Sequence, residues 1–99
     1  MRPWFVYLLE CRDGSLYTGI AVDVARRYAQ HVSGKGARYT RANPPVKVLA
    51  SFPYPDRSTA SRAEHAIKRL KPACKRALCE ARLSPPVFDD MELDETAAA

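Results

Sequence analysis

Six apolar residues in a row, Trp4-Phe5-Val6-Tyr7-Leu8-Leu9, fill both parities of an extended chain and are rich in β-formers. Such a run predicts a strand covered on both faces and placed mid-sheet. Asp13-Gly14 marks a turn, and Leu16 to Ile20 returns as a second strand, making a hairpin. The length of that turn decides which side chains share a face. A two-residue loop, Asp13-Gly14, sets Tyr7 and Tyr17 on opposite faces. A three-residue loop, Arg12-Asp13-Gly14 with Gly14 left-handed, sets Tyr7 opposite Gly19 and both phenols on one face. The residues alone permit either.

Asp23 can cap a helix running to about Ser33, in which Val24, Tyr28 and Val32 recur at i, i+4 and i+8 as a stripe expected to face the sheet, with Gly34 as the stop. Arg27 and His31 lie one turn apart on the shoulder of this helix, so their side chains can reach a common point. The segment Gly34-Lys35-Gly36-Ala37-Arg38-Tyr39-Thr40-Arg41 is basic, interrupted by glycine and carries an aromatic; it reads as a phosphate-contacting loop or short helix. After Asn43-Pro44-Pro45, the stretch Val46 to Phe52 alternates well enough for a third strand. Ser58 can cap a helix whose Ala63, Ala66, Ile67 and Leu70 form one buried face, with Glu64 at its edge. Pro72 breaks that pattern, and Ala73 to Leu83 can form a last helix. The order β-β-α-β-α-α predicts an α+β fold, a three-stranded antiparallel sheet flanked by helices.

At 99 residues, 46% of them apolar, the chain suits one compact domain, here residues 1–83, and excludes a two-domain enzyme. Its net charge of +5 hides an asymmetry. Residues 1–83 hold all sixteen basic side chains against six acidic ones, a net +10, whereas residues 84–99 hold five acids and no base. The basic body attracts polyanions, with nucleic acid the main candidate. The Ser84-Pro85-Pro86 to Ala99 segment reads as an acidic, flexible tail that can fold back over the basic face. No apolar run approaches the ~20 residues of a membrane span, and no signal peptide opens the chain, so a cytoplasmic protein without membrane contact is expected. Cys11, Cys74 and Cys79 suit neither a disulfide framework nor a zinc clamp, and read as reduced and packed.

No Walker loop, G-x-G-x-x-G, H-E-x-x-H or G-x-S-x-G occurs, and no serine, histidine and acid group as a triad. What remains is an ordered set: Phe5-Val6-Tyr7, then Tyr17-Thr18-Gly19 ten residues on, then Asp23-Val24-Ala25-Arg26-Arg27-Tyr28 with His31, then Ala63-Glu64 before Ile67-Lys68. Over residues 3–77 this set resembles the GIY-YIG nuclease superfamily, in particular its small stand-alone bacterial branch. The Gly34 to Thr40 stretch is also similar to one in the eukaryotic subunit that cuts branched DNA. Two departures stand out. Phe5-Val6 and Thr18 replace Gly-Ile and Ile of the name-giving motifs, and Asn43 is the one asparagine, whereas many members use an asparagine near the C-terminus.

The resemblance implies a phosphodiesterase that cuts DNA with one divalent ion, Mg²⁺ or Mn²⁺, as a structure-selective endonuclease of repair or recombination. It implies Tyr7 as general base or water-positioning group, Tyr17 as its companion on the water or phosphate, Arg27 as the cation facing the reacting phosphate, and His31 as proton acceptor or phosphate donor. Glu64 is implied as the metal ligand. Because a phenol ordinarily titrates near ~10, the metal and nearby cations are expected to favour the phenolate of Tyr7. Both phenols must then share a face, which selects the three-residue turn. Lys35, Arg38, Arg41 and Lys68 are candidates for backbone contacts. Bland alternatives stand beside these: packing for the tyrosines, and an i,i+4 pair with Lys68 for Glu64. The competing functions are a non-catalytic nucleic-acid-binding module and a nuclease subunit activated by a targeting protein, with RNA an open alternative to DNA.

Overall fold

A computed structural model describes residues 2–81. In chain order the elements are β1 (Trp4–Cys11), β2 (Leu16–Ala21), α1 (Val24–Val32), α2 (Arg38–Ala42), β3 (Pro45–Tyr54), α3 (Arg57–Lys68) and α4 (Pro72–Ala81). The fold is α+β, with an antiparallel sheet in the order β2-β1-β3. The all-apolar strand takes the centre, where Val6, Leu8 and Leu9 are wholly buried and Tyr7 nearly so. The acidic segment 84–99 and the end of the expected last helix lie outside the described residues.

The hairpin adopts the three-residue loop. Gly14 is left-handed at φ 87°, its N–H donates to the Cys11 carbonyl at 2.8 Å, and the Cys11 N–H donates to Ser15 O at 2.8 Å. Tyr7 therefore stands opposite Gly19 and Leu9 opposite Tyr17, which puts the two phenols on one face. On the other side of β1, Leu8 faces Ala50 but Leu9 faces Val48, so Leu49 is an extra residue, a bulge. β3 is also longer than its alternation suggested. Ala50, Phe52 and Tyr54 turn inward beyond the bulge, while Val46 and Val48 are exposed.

The two faces of the sheet are different environments. On one, Val6, Leu8, Ala50, Phe52 and Tyr54 pack on Ala60, Ala63 and Ile67 of α3 and Cys79 of α4. This is the hydrophobic core, in which a fully buried Ile67 contributes ~1.5–3 kcal/mol. On the other, Tyr7, Leu9 and Ala21 meet Tyr17 and the α1 residues Val24 and Tyr28.

Several local expectations are corrected. Val32, expected on the sheet-facing stripe, is 51% exposed, because α1 turns His31 inward at its last turn instead. The cap of α3 is Asp56 and not Ser58: the Asp56 carboxylate accepts from Thr59 N at 2.8 Å, and the Thr59 hydroxyl accepts from the Asp56 N–H in return. That reciprocal box satisfies two free donors where a serine inside the first turn satisfies none. Pro72 opens α4 as its first residue, where a missing N–H costs nothing. Cys11 and Cys79 are buried and outside any disulfide among the described residues, but Cys74 is exposed. Arg76 ties α4 to the hairpin by donating to Glu10 Oε2 at 2.9 Å and to the Gly14 carbonyl at 2.8 Å. Among the described residues no helix is long and apolar enough to cross a membrane.

Candidate active site

Three elements converge on the face opposite the core. β1 supplies Tyr7, and α1, capped by Asp23 and ended by left-handed Gly34 at φ 83°, supplies His31. The Tyr7 hydroxyl lies 2.9 Å from His31 Nε2, and His31 Nδ1 lies 2.7 Å from Thr40 Oγ1 of α2. Thr40 in turn donates to the Ala37 carbonyl at 3.0 Å. Tyr7, His31 and Thr40 are all within 1% of full burial, so this polar row lies inside the protein. Tyr17 closes it from β2, its ring 6.4 Å from Tyr7 and edge-on to His31 at 5.0 Å. Tyr39 stacks on the far side of Tyr17 at 5.9 Å and is itself 43% exposed. It hydrogen-bonds Ser15, and Asn43 also donates to Ser15 Oγ at 3.0 Å, so α2 is docked against the hairpin turn.

Two glycines make the row possible. A Cβ on Gly19 would fall 2.7 Å from Tyr7 Cζ, so the phenol can cross β2 only over a bare backbone. A Cβ on Gly36 would fall 2.9 Å from both His31 Cγ and Cε1 and nearer still to Nδ1, so the imidazole closes on that glycine's bare backbone.

The electrostatics set the protonation states. Burial, reinforced by Tyr17, pushes the Tyr7 hydroxyl up to about 12, and Glu64 pushes the same way while Arg27 opposes it. The expected phenolate is thus disfavoured by the protein's own groups: desolvation outweighs the single nearby cation. Burial and the Arg27 charge lower His31 below its ordinary value, so it is neutral at pH 7. A protonated phenol therefore sits against a neutral imidazole. Arg27, half-buried, also donates to Gln30 Oε1 at 2.8 Å, which holds its guanidinium on this shoulder of α1. Glu64 arrives from α3, which packs under β1 and β2, and its charge reaches Tyr7.

Residues 3–77 match the GIY-YIG catalytic domain, three quarters of the chain. The chain belongs to this family. A UPF0213 protein of Xanthomonas axonopodis pv. citri is 60% identical over 82 residues, 83% of this chain and 80% of that protein. The UPF0213 protein YhbQ of Escherichia coli is 49% identical over 78 residues, 79% of this chain and 78% of that one. Among solved structures, the solution structure of the UPF0213 protein BH0048 of Bacillus halodurans superposes with a TM-score of 0.52 at 42% identity, covering 81% of this chain and 85% of that one.

The GIY-YIG fold brings Tyr7, Tyr17, Arg27 and His31 into one cluster, with Glu64 at its margin. Glu64 Oε2 makes the i,i+4 pair with Lys68, at 3.3 Å, so the bland reading of this residue is realised, while its charge still acts on Tyr7. Lys35, Arg38 and Arg41 are exposed on or beside α2. Among the described residues no three His, Cys, Asp or Glu side chains cluster. A divalent ion would thus have one carboxylate, Glu64, and the donor set fits Mg²⁺, which keeps several waters and takes substrate oxygens as ligands.

Sequence reasoning missed Thr40, Gly36 and Tyr39 as parts of the site. Their segment reads from sequence as a basic, glycine-interrupted phosphate-contacting loop or short helix, although a glycine five residues after His31 also signals a backbone pressed against the ring.

Proposed function

We propose that this GIY-YIG chain is a metal-dependent DNA endonuclease that hydrolyses phosphodiester bonds, selecting its target by DNA structure, in repair or recombination. The observation that carries the reading is the Tyr7 hydroxyl at 2.9 Å from a neutral, buried His31, with the charges of Arg27 and Glu64 acting on the same hydroxyl. Where the bound substrate brings a water to the Tyr7 hydroxyl, that hydroxyl can take a proton from it without first becoming a phenolate. As the water oxygen bonds to phosphorus, its proton passes to the Tyr7 oxygen and the Tyr7 proton passes to His31 Nε2. The P–O bond to the leaving strand breaks, and the leaving oxygen takes its proton from solvent. His31 alone gains charge inside the protein, at a ring whose other nitrogen is already hydrogen-bonded.

Arg27 neutralises charge that accumulates on the phosphate, a task suited to its forked donors. Tyr17, half-buried beside Tyr7, holds the water or a phosphate oxygen. Glu64 would hold one Mg²⁺ or Mn²⁺, which when bound draws charge off the phosphate oxygens. Lys35, Arg38, Arg41 and Lys68 would grip the backbone. Such contacts fix register but carry no base information, which favours recognition of DNA shape.

The test offers purified protein single-stranded, duplex, nicked, flapped and branched DNA, and an RNA strand, with Mg²⁺ or Mn²⁺ and with chelator. Cleavage that prefers flapped or branched DNA, stops with chelator and falls on the order of 10³-fold in Glu64→Ala is the expected result. Undiminished cleavage by Glu64→Ala overturns the site. Binding to every substrate without cutting any would replace the enzyme by a binding module or a subunit awaiting a partner.

A further inference from the structure

The row from Tyr7 to Ala37 carries more information than its distances, because the protons in it can be counted. A neutral imidazole has one N–H and one lone pair, and a threonine hydroxyl has one proton to give. Tyr7 is 1% exposed, and its hydroxyl is within hydrogen-bond distance of His31 Nε2. If Nε2 carried the imidazole proton, it would donate to the Tyr7 oxygen, and the buried phenol proton would have no acceptor among the described residues. With the proton on Nδ1, each donor finds an acceptor: Tyr7 O–H gives to Nε2, Nδ1–H gives to Thr40 Oγ1 at 2.7 Å, and Thr40 O–H gives back along its own helix to the Ala37 carbonyl at 3.0 Å. The last of these is the local back-bond that threonine makes readily within a helical turn, and it leaves the Thr40 oxygen free to accept.

We propose that Thr40 is a positioning residue that holds His31 as the Nδ1–H tautomer, so that Nε2 presents a lone pair to the Tyr7 hydroxyl. Thr40 touches neither water nor phosphate and acts only through the imidazole. Gly36 completes the device: the Nδ1 side of the ring packs against its bare backbone, where any Cβ would collide with the imidazole. α2 therefore has two jobs at once. Its exposed Arg38 and Arg41 face outward, while Thr40, fully buried on the same short helix, sets the proton on His31. The tautomer assignment stands on the geometry of the row, and its kinetic consequence rests on the nuclease reading.

The experiment is a long-range proton–nitrogen correlation spectrum of uniformly ¹⁵N-labelled full-length protein, recorded where His31 is neutral. The chain has two histidines, and exposed His65 supplies the reference signal. His31→Gln identifies the other. In the wild type, His31 should carry its proton on Nδ1. Thr40→Val keeps the shape but cannot accept, so the ring should shift towards Nε2–H, the form that donates to Tyr7 and cannot take its proton. Thr40→Ser should restore Nδ1–H. In DNA cleavage, Thr40→Val should lower kcat on the order of 10²-fold with KM unchanged, and Thr40→Ser should recover most of the loss. A wild-type His31 protonated on Nε2, or an unchanged tautomer in Thr40→Val, overturns the proposal. The wild-type spectrum decides this even where the valine variant fails to fold. A chain that shows the predicted tautomer but cuts no DNA would leave Thr40 in its role and remove the nuclease reading.

Discussion

The two faces of one three-stranded sheet are built on opposite rules. Towards α3 and α4, β1 presents Val6 and Leu8 to alanines, Ile67 and Phe52, a contact held by apolar area with no direction to it. Towards α1 and α2, the neighbouring residues of the same strand present Tyr7 and Leu9, and Tyr7 enters a chain of hydrogen bonds in which each atom has an assigned partner. One face therefore tolerates a change of shape that conserves volume and suffers when volume is lost. The other suffers when one atom is added or one proton is misplaced, even with packing intact. Alternation along a strand lets both rules operate one residue apart.

The largest expected effects break the comparison from each side. Ile67→Ala opens a cavity in the apolar face and should cost ~2–5 kcal/mol of unfolding free energy, read by denaturant melts, while the surviving folded molecules cut DNA at the parental rate. Gly36→Ala adds one methyl against the imidazole and should cost only ~1–3 kcal/mol. Yet its cleavage per folded molecule should collapse, because the ring cannot yield without losing Tyr7 or Thr40. Should both variants lose stability and activity in the same proportion, the division of labour between the faces is wrong.

How much of this was legible in the sequence follows the same divide. The apolar face was readable because burial repeats: the six-residue run gave the central strand, and the spacing of Ala63, Ala66 and Ile67 gave the buried side of α3. The site was readable only as spaced residue types matching a family. Their pairing was not, since nothing in the periodicity of α1 distinguishes His31, fully buried, from Val32, half exposed. Burial of a polar side chain depends on the partner that satisfies it, and the partner, Thr40, lies in a segment whose charge concealed it. The strength with which the protein's own groups hold Tyr7 protonated was hidden for a related reason. A nearby arginine was visible in the sequence, whereas the desolvation that outweighs it exists only once the strand is covered.

A gentler probe of the polar face is pH. His31 faces Tyr7, Tyr17, Thr40 and Arg27, and both burial and the guanidinium hold it below the 6.5 of a free imidazole. Between those two values the unfolded chain binds a proton that the folded chain refuses. Stability is accordingly full above pH 6.5 and declines as pH falls from there through the folded value. Cleavage should persist below pH 6.5 and drop only when the buried ring itself protonates. Tyr7, at about 12, adds no alkaline limb near neutrality. Melting midpoints taken between about pH 5 and pH 8 should show this acid slope flattened in His31→Gln. An equal slope in that variant would place the titrating group elsewhere.

The smallest effect comes from the one place where the apolar face breaks its own rule. Thr18, paired with Leu8 and so turned towards α3, is 2% exposed, and its Oγ1 has no partner among the described residues. A hydroxyl stranded in this way forfeits ~1–3 kcal/mol of hydration, and valine would fill the same volume with a second methyl. The family's name-giving motif places isoleucine here, which agrees with an apolar demand at this position. Thr18→Val should therefore stabilise the protein by ~1 kcal/mol, a rise in melting midpoint of ~4–8 °C for a domain of this size, with cleavage unchanged because the side chain lies on the far side of the sheet from Tyr7. Thr18→Ser, which keeps the hydroxyl and discards the methyl, should move the midpoint the other way. If valine destabilises instead, the hydroxyl has a hidden partner, and the apolar face carries a directed bond of its own.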